Sequence, residues 1–134
     1  MYNKFLTKAG FAAAFLILLS FASVQSGCII AVAGVAGGAV AYVKGDLDAT
    51  VSSRIGEVQK ATLKALKNDL RFISISEKDD ATAAEYCFRN AKDEKIVVKL
   101  EMVDENTTRI NIRIGTFGDE TLSNLILSKI QKRL

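Results

Sequence analysis

The chain contains no histidine, no tryptophan and no proline, and only two cysteines. Without histidine it lacks the commonest general base and metal ligand at neutral pH. Neither cysteine has an imidazole to activate it as a nucleophile, and two cysteines, Cys28 and Cys87, do not make a disulfide framework. A basic face with aromatic platforms is also missing. Lysine and arginine are interspersed with aspartate and glutamate, which is ordinary solvated surface, so no nucleic acid partner is expected. The formal charge of +3 includes Lys4 and Lys8, and no acid precedes Cys28, so the rest of the chain sits near +1. No internal repeat is visible.

What the chain does have is a distinctive opening. Met1 to Gly10 carries Lys4 and Lys8, and an apolar stretch from Phe11 to Val24 follows, broken only by Ser20 and Ser23. A basic start, an apolar run of roughly 7–15 residues and then small residues is the form of a signal peptide. The run is shorter than the ~20 residues of a membrane span. Ser26-Gly27-Cys28 ends it. A small residue directly before a cysteine is what the bacterial lipoprotein route needs. There the thiol is alkylated by a diacylglycerol, the chain is cut before the cysteine, and the freed amine is acylated. Residues 1–27 are therefore expected to be a lipoprotein signal peptide and Cys28 the lipidation site. Gln25 stands where an aliphatic residue is usual. Two other readings of this region stay open: Cys28 as a small buried hydrophobe, and an uncut anchor that keeps residues 1–27.

Ile29 to Val43 reads IIAVAGVAGGAVAYV, with Gly34, Gly37 and Gly38 near helical spacing. Small residues on one face allow close packing in membranes, but glycine lowers helix propensity by about 1 kcal/mol relative to alanine. Residues 28–44 are expected to form an apolar tether between lipid and domain. Each buried acyl methylene contributes about 0.8 kcal/mol, and two or more chains suffice for stable attachment, so the tether need add nothing.

Residues 45–134 are long enough for one small domain. In Tyr42 to Val51, Leu47, Ala49 and Val51 alternate with Asp46, Asp48 and Thr50, the period of a half-buried strand. From Ser53 to Leu70 the period changes: Ile55, Val58, Thr62, Leu66 and Leu70 share one helical face, widened by Leu63, with Ser52 or Ser53 as cap. Strands are expected at Arg71–Ser76, Ala83–Arg89, Ile96–Val103 and Thr107–Ile114, separated by charged turns that include Glu77–Ala81 and Asn90–Lys95. Their inward sets are Ala84, Tyr86 and Phe88; Ile96, Val98, Leu100 and Met102; and Ile110, Ile112 and Ile114. A closing helix runs to Leu134 with Asp119 as N-cap, Glu120 in its first turn and Leu122, Leu125, Ile126, Ile130 and Leu134 as its buried stripe. The order β-α-β-β-β-β-α predicts an α+β fold, a two-layer sandwich with an antiparallel sheet and two helices on one face. The other face, carrying Glu85, Arg89, Lys99, Glu101, Arg109 and Arg113, meets solvent or a partner.

Candidate chemistry is sparse. Gly115-Thr116-Phe117-Gly118 lies between a strand and a helix start, where anions can bind. It lacks the lysine and spacing of a phosphate loop, and Asp119 and Glu120 repel phosphate. The expected role is a tight turn in which glycine supplies unusual backbone angles and Phe117 plugs the core. The pairs Asp46/Asp48, Asp79/Asp80 and Asp104/Glu105 lack calcium-loop spacing and read as solvated charge. Cys87 reads as a semi-buried strand residue, with intermolecular pairing or redox sensing as the sharper alternative. Ser-Lys catalysis has no local motif in its favour. No catalytic residue, metal or cofactor is expected.

Gly27-Cys28 with the Ala/Gly/Val run, Tyr42-Val43-Lys44-Gly45-Asp46-Leu47, and Ile112-Arg113-Ile114-Gly115-Thr116-Phe117-Gly118-Asp119 with Leu122-Ser123 resemble a family of short bacterial envelope lipoproteins classified only as a domain of unknown function. The resemblance covers Gly27 to Leu134 and implies a lipid anchor at Cys28; it brings no catalytic residue and no role for Cys87. The leading expectation is a non-enzymatic envelope lipoprotein, membrane-bound through its lipid, whose domain binds an envelope protein or other component through the polar sheet face or an edge strand, with Arg109 and Arg113 as the residues to test. A small-ligand carrier or hydrolase with a cleft between helices and sheet is the alternative. Ile29 rather than aspartate after the cysteine favours the outer membrane, facing the periplasm.

Overall fold

The computed structural model describes residues 38–134. The expected signal segment 1–27, Cys28 and the tether up to residue 37 lie outside the described residues. Among the described residues, six strands form one antiparallel sheet in the order β1-β2-β6-β5-β4-β3, and two helices complete an α+β fold.

The sheet starts earlier than the sequence pattern suggested. Val40–Val43, expected at the end of the tether, is strand β1, paired with β2 (Asp46–Val51) in the register Val43↔Asp46. That register leaves Lys44 and Gly45 as a two-residue turn, at φ 53° and 88°. Tight hairpins favour such positive φ values because they match the twist of the flanking strands. The expected single strand Tyr42–Val51 is therefore a hairpin, and the described residues hold six strands rather than five. In β2 the alternation holds: Leu47, Ala49 and Val51 are buried.

Helix α1 (Ile55–Lys64) runs on through a π turn, Ala65–Asp69. Ile55, Val58, Thr62 and Leu66 are buried as the periodicity required, and Leu63 and Leu70 pack at the margin of the core. The expected serine cap is absent. Arg54 is the N-cap and its side chain makes no capping bond, while Ser53 gives its carbonyl to the Thr108 hydroxyl at 2.8 Å.

α1 carries the chain from β2 to the far edge of the sheet. From there β3 (Ile73–Asp79), β4 (Ala83–Arg89), β5 (Lys95–Asp104) and β6 (Thr107–Ile114) return strand by strand to β2. β3 departs from expectation. Glu77–Asp79, expected in a turn, are strand residues, and a register shift falls between Ser74 and Ser76. This irregular edge strand leaves Ile73 68% and Ile75 51% exposed. Met102, expected inward, is partly exposed, because the β5–β6 register slips between Met102 and Asp104.

Helix α2 (Glu120–Gln131) is capped by Asp119, whose carboxylate accepts from the Leu122 amide at 2.9 Å. Its buried residues are Ser123, Ile126, Leu127 and Ile130, with Leu122 at the margin; Leu125 and Leu134, expected in the stripe, are exposed. The helix ends at Gln131, so Leu134 lies past its last turn. Buried residues of β2, β4, β5, β6 and both helices form one continuous cluster, with Leu47, Tyr86, Phe88, Ile110 and Ile112 at 0% exposure. Apolar side chains fill the space between helices and sheet.

Candidate interaction site

Antiparallel pairing sets the polar residues of β2, β4, β5 and β6 side by side on the sheet face away from the core. Glu85 lies opposite Lys99, Lys99 opposite Asn111, Asn111 opposite Asp48, and Arg109 opposite Glu101. The pairs close at 3.6 Å for Lys99–Glu85 and 3.4 Å for Arg109–Glu101, and Asn111 donates to Asp48 at 2.9 Å. Exposed pairs of this kind contribute at most about 1 kcal/mol each. They leave a surface of alternating charge that no described element covers.

Arg109 and Arg113, singled out together from the sequence, do different things. Arg109 is exposed, with one long contact to Glu101. Arg113 is a clamp. Its guanidinium donates to Asp46 at 2.9 Å, to the Lys44 carbonyl at 3.4 Å and to the Thr116 carbonyl at 2.7 Å. It ties the β1–β2 turn to the loop between β6 and α2, the two segments that held the distinctive motifs.

Backbone packing reinforces that clamp. A Cβ at Gly45 would overlap the Phe117 carbonyl, and a Cβ at Gly118 would overlap the Gly45 backbone and crowd the Tyr42 hydroxyl. Gly45 and Gly118 also sit at φ 88° and 83°, where only glycine is unstrained. Tyr42 lies beside this contact. Burial pushes its phenol pKa up, helped by the negative charges of Glu120, Asp119 and Asp46.

The loop so fixed does not bury its aromatic residue. Phe117, expected as a core plug, is 91% exposed. Ile96 and Ile114, the paired core residues nearest the loop, are already buried, and positive-φ glycines stand on either side of residue 117. Beside it lies a surface groove of about 590 Å³ whose walls include Lys95, Val97, Arg113 and Phe117. The glycines supply unusual angles as expected. The phosphate reading does not hold here, because the Asp119 carboxylate already occupies the helix N-terminus where an anion would sit.

The other candidates resolve into structural roles. Asp80 accepts from the amides of Thr82 at 2.7 Å and Ala83 at 2.8 Å, and from the Thr82 hydroxyl at 3.1 Å; these bonds lower its pKa. Asp104 accepts from the Asn106 amide at 2.9 Å. Ser74, Glu77 and Lys67 form a chain in which the serine hydroxyl and the ammonium both donate to the carboxylate. The Lys67 bond, then the Ser74 bond, depress the Glu77 pKa. An acid held ionised in this way is a poor base toward the serine. Cys87 is a buried free thiol, 8% exposed, paired in register with Val97 and Ser76. Among the described residues no group of three or more His, Cys, Asp or Glu is placed to hold a metal ion. None of their helices is long and apolar enough to cross a membrane.

Both motifs are legible in the sequence, but their meeting is not, because it depends on strand register. The one local signal was glycine on both sides of an aromatic residue.

A family model described as "Protein of unknown function (DUF3568)" matches residues 10–133. No curated protein matches the chain.

Proposed function

The chain belongs to this family of unknown function, and from that premise we propose that it is a bacterial envelope lipoprotein whose domain serves as a non-enzymatic binding module. The anchor is the diacylglyceryl thioether at Cys28, formed before the signal peptide 1–27 is cut away. Two or three acyl chains give stable attachment without help from the tether. Ile29 after the cysteine directs the protein to the outer membrane, facing the periplasm. The domain is a two-layer sandwich with both helices on one face of the sheet, and its partner is an envelope protein that meets the other face.

One observation carries the binding role: the sheet has one face packed into the core and the other laid out as cross-strand charge pairs that no described element covers. The filled space between helices and sheet supports this reading over an interior ligand cleft. Arg109 is the side chain best placed to reach a partner, since its contact with Glu101 is long and exposed.

Two measurements test the reading. Growth with a labelled fatty acid, followed by mass spectrometry of the mature N-terminus, is expected to find acyl groups on Cys28 and none on C28S. An unmodified thiol, or a chain that still begins at Met1, overturns the anchor. Crosslinking in intact cells is expected to trap an envelope protein that R109E loses while its circular dichroism stays unchanged. Undiminished capture by R109E removes this face as the contact.

A further inference from the structure

We propose that the end of the sheet carrying Phe117 is a docking surface for an anionic lipid bilayer. This end gathers the β1–β2 turn, the β4–β5 turn, the loop from β6 to α2 and the link from α1 to β3. Among the described residues, four of the eight exposed large hydrophobic side chains stand here: Phe117 at 91%, Ile73 at 68%, Val43 at 55% and Leu125 at 44%. Their placement follows from register. Val43 lies opposite Asp46, which lies opposite Arg113, and Ile73 lies opposite Arg89, which lies opposite Lys95. Leu125 lines a groove with Lys92 and Asp119.

Charge at this end complements such a surface. Lys44, Arg71, Lys92 and Lys95 are all exposed. Among the described residues none of the four has an acidic partner within ion-pair distance. Of the acids nearby, Asp46 pairs with Arg113 and Asp93 with Arg89, while Glu94 on the Asn90 amide and Asp119 at the helix cap keep their charge and are only partly exposed. Glu120 is the exposed exception. The opposite end reverses the sign, with Asp79, Asp80, Asp104 and Glu105 at its two strand turns. Single exposed hydrophobes need no explanation. Aromatic and branched side chains held beside unpaired cations match a headgroup–acyl boundary, where apolar groups enter and lysines reach phosphates. The mutual glycine contact and the Arg113 clamp hold Phe117 outward before any lipid arrives.

The geometry permits contact with the bilayer that carries the proposed anchor, though the docking surface does not require one. The chain joins the sheet near Gly38, five strand steps from this end, or roughly 17 Å. Ten residues from Cys28 reach at most about 35 Å when extended.

The absence of tryptophan makes the test clean. In F117W the only indole reports this end, and in V103W it reports the opposite one. Each full chain is reconstituted into vesicles of phosphatidylcholine, with or without phosphatidylglycerol, containing brominated acyl chains. The F117W emission is expected to shift to the blue and be quenched, more strongly with phosphatidylglycerol, while V103W stays near its aqueous emission. Adding K44Q, K92Q or K95Q to F117W weakens the quenched fraction about fivefold per lysine in apparent partitioning, and salt weakens it further. These substitutions are exposed, so far-ultraviolet circular dichroism stays unchanged. An F117W indole that remains aqueous in both vesicles overturns the proposal. So does quenching that V103W shares, quenching indifferent to phosphatidylglycerol, or a blue shift present in detergent without vesicles, which assigns Phe117 to contact between protein chains. The fatty-acid labelling at Cys28 reads the anchor independently.

Discussion

The two ends of the sheet close their turns by different means. At the acidic end side chains hold the backbone: Asp80 satisfies two amides and a hydroxyl after β3, and Asp104 caps the turn after β5. At the other end, beside a similar side-chain cap from Asn90, two loops distant in sequence are held by glycine against glycine and by one arginine reaching three oxygens. A turn closed by its own aspartate is a local device and stays polar. A turn closed by backbone packing against another loop frees the residue at its tip. Here that residue is an exposed phenylalanine.

The sharpest probe of the second end sets its buried phenylalanine against its exposed one. F88A removes a fully buried ring and is expected to cost about 3–5 kcal/mol in urea unfolding. If it costs no more than F117A, the core has been wrongly placed.

Next in size is G118A. It forces a Cβ into the Gly45 backbone at a φ of 83°, and strain plus overlap are expected to cost about 3 kcal/mol. Its counterpart is G56A in α1, where a Cβ meets nothing within 4 Å. That change is expected to stabilise by up to about 1 kcal/mol, because alanine is the better helix former. Equal effects at the two positions break the argument for a glycine clamp.

The acidic end has its own signature, in pH. Burial, then the charges of Asp79 and Glu77, push the Tyr86 phenol up from 10.0 to about 12. The folded state keeps this proton after the unfolded chain has lost it. Stability from this group is therefore complete below pH 10 and lost progressively as pH rises toward about 12, by about 2–3 kcal/mol in all. Y86F is expected to flatten the fall between those limits. A wild-type curve already level there contradicts the burial of that hydroxyl.

The smallest expected effect is F117A. A side chain 91% exposed contributes little packing, so unfolding free energy is expected to stay within about 0.5 kcal/mol of wild type. A larger loss means that the ring packs in solution, and the contrast with Phe88 then shrinks.

Much of the fold was legible because burial follows simple periods. β4 and β6 match their expected bounds, and the alternation of Ile110, Ile112 and Ile114 predicted their burial. The misreadings lie where the period breaks. Lys44-Gly45 looked like the inside or margin of one strand until register made it a hairpin turn. The irregularity at Ser74/Ser76 exposed Ile75, and the slip after Met102 brought that side chain toward solvent. Arg54 takes the N-cap position in place of the expected serines, and the Ser53 carbonyl accepts from the Thr108 hydroxyl, more than fifty residues away. The candidate site was half legible. Arg109 stands exposed as expected, whereas Arg113 is a clamp whose three acceptors lie in the β1–β2 turn, at the start of β2 and in the loop after β6.

By itself the sequence determined the class of the domain and most of its core, because hydrophobic period and turn chemistry act over a few residues at a time. It also determined the form of the opening that ends at Cys28. Tertiary structure alone decided that Gly45 meets Gly118, that Arg113 spans the contact and that Phe117 faces water. Those outcomes depend on β2 lying beside β6, a pairing between segments about sixty residues apart that no local pattern encodes.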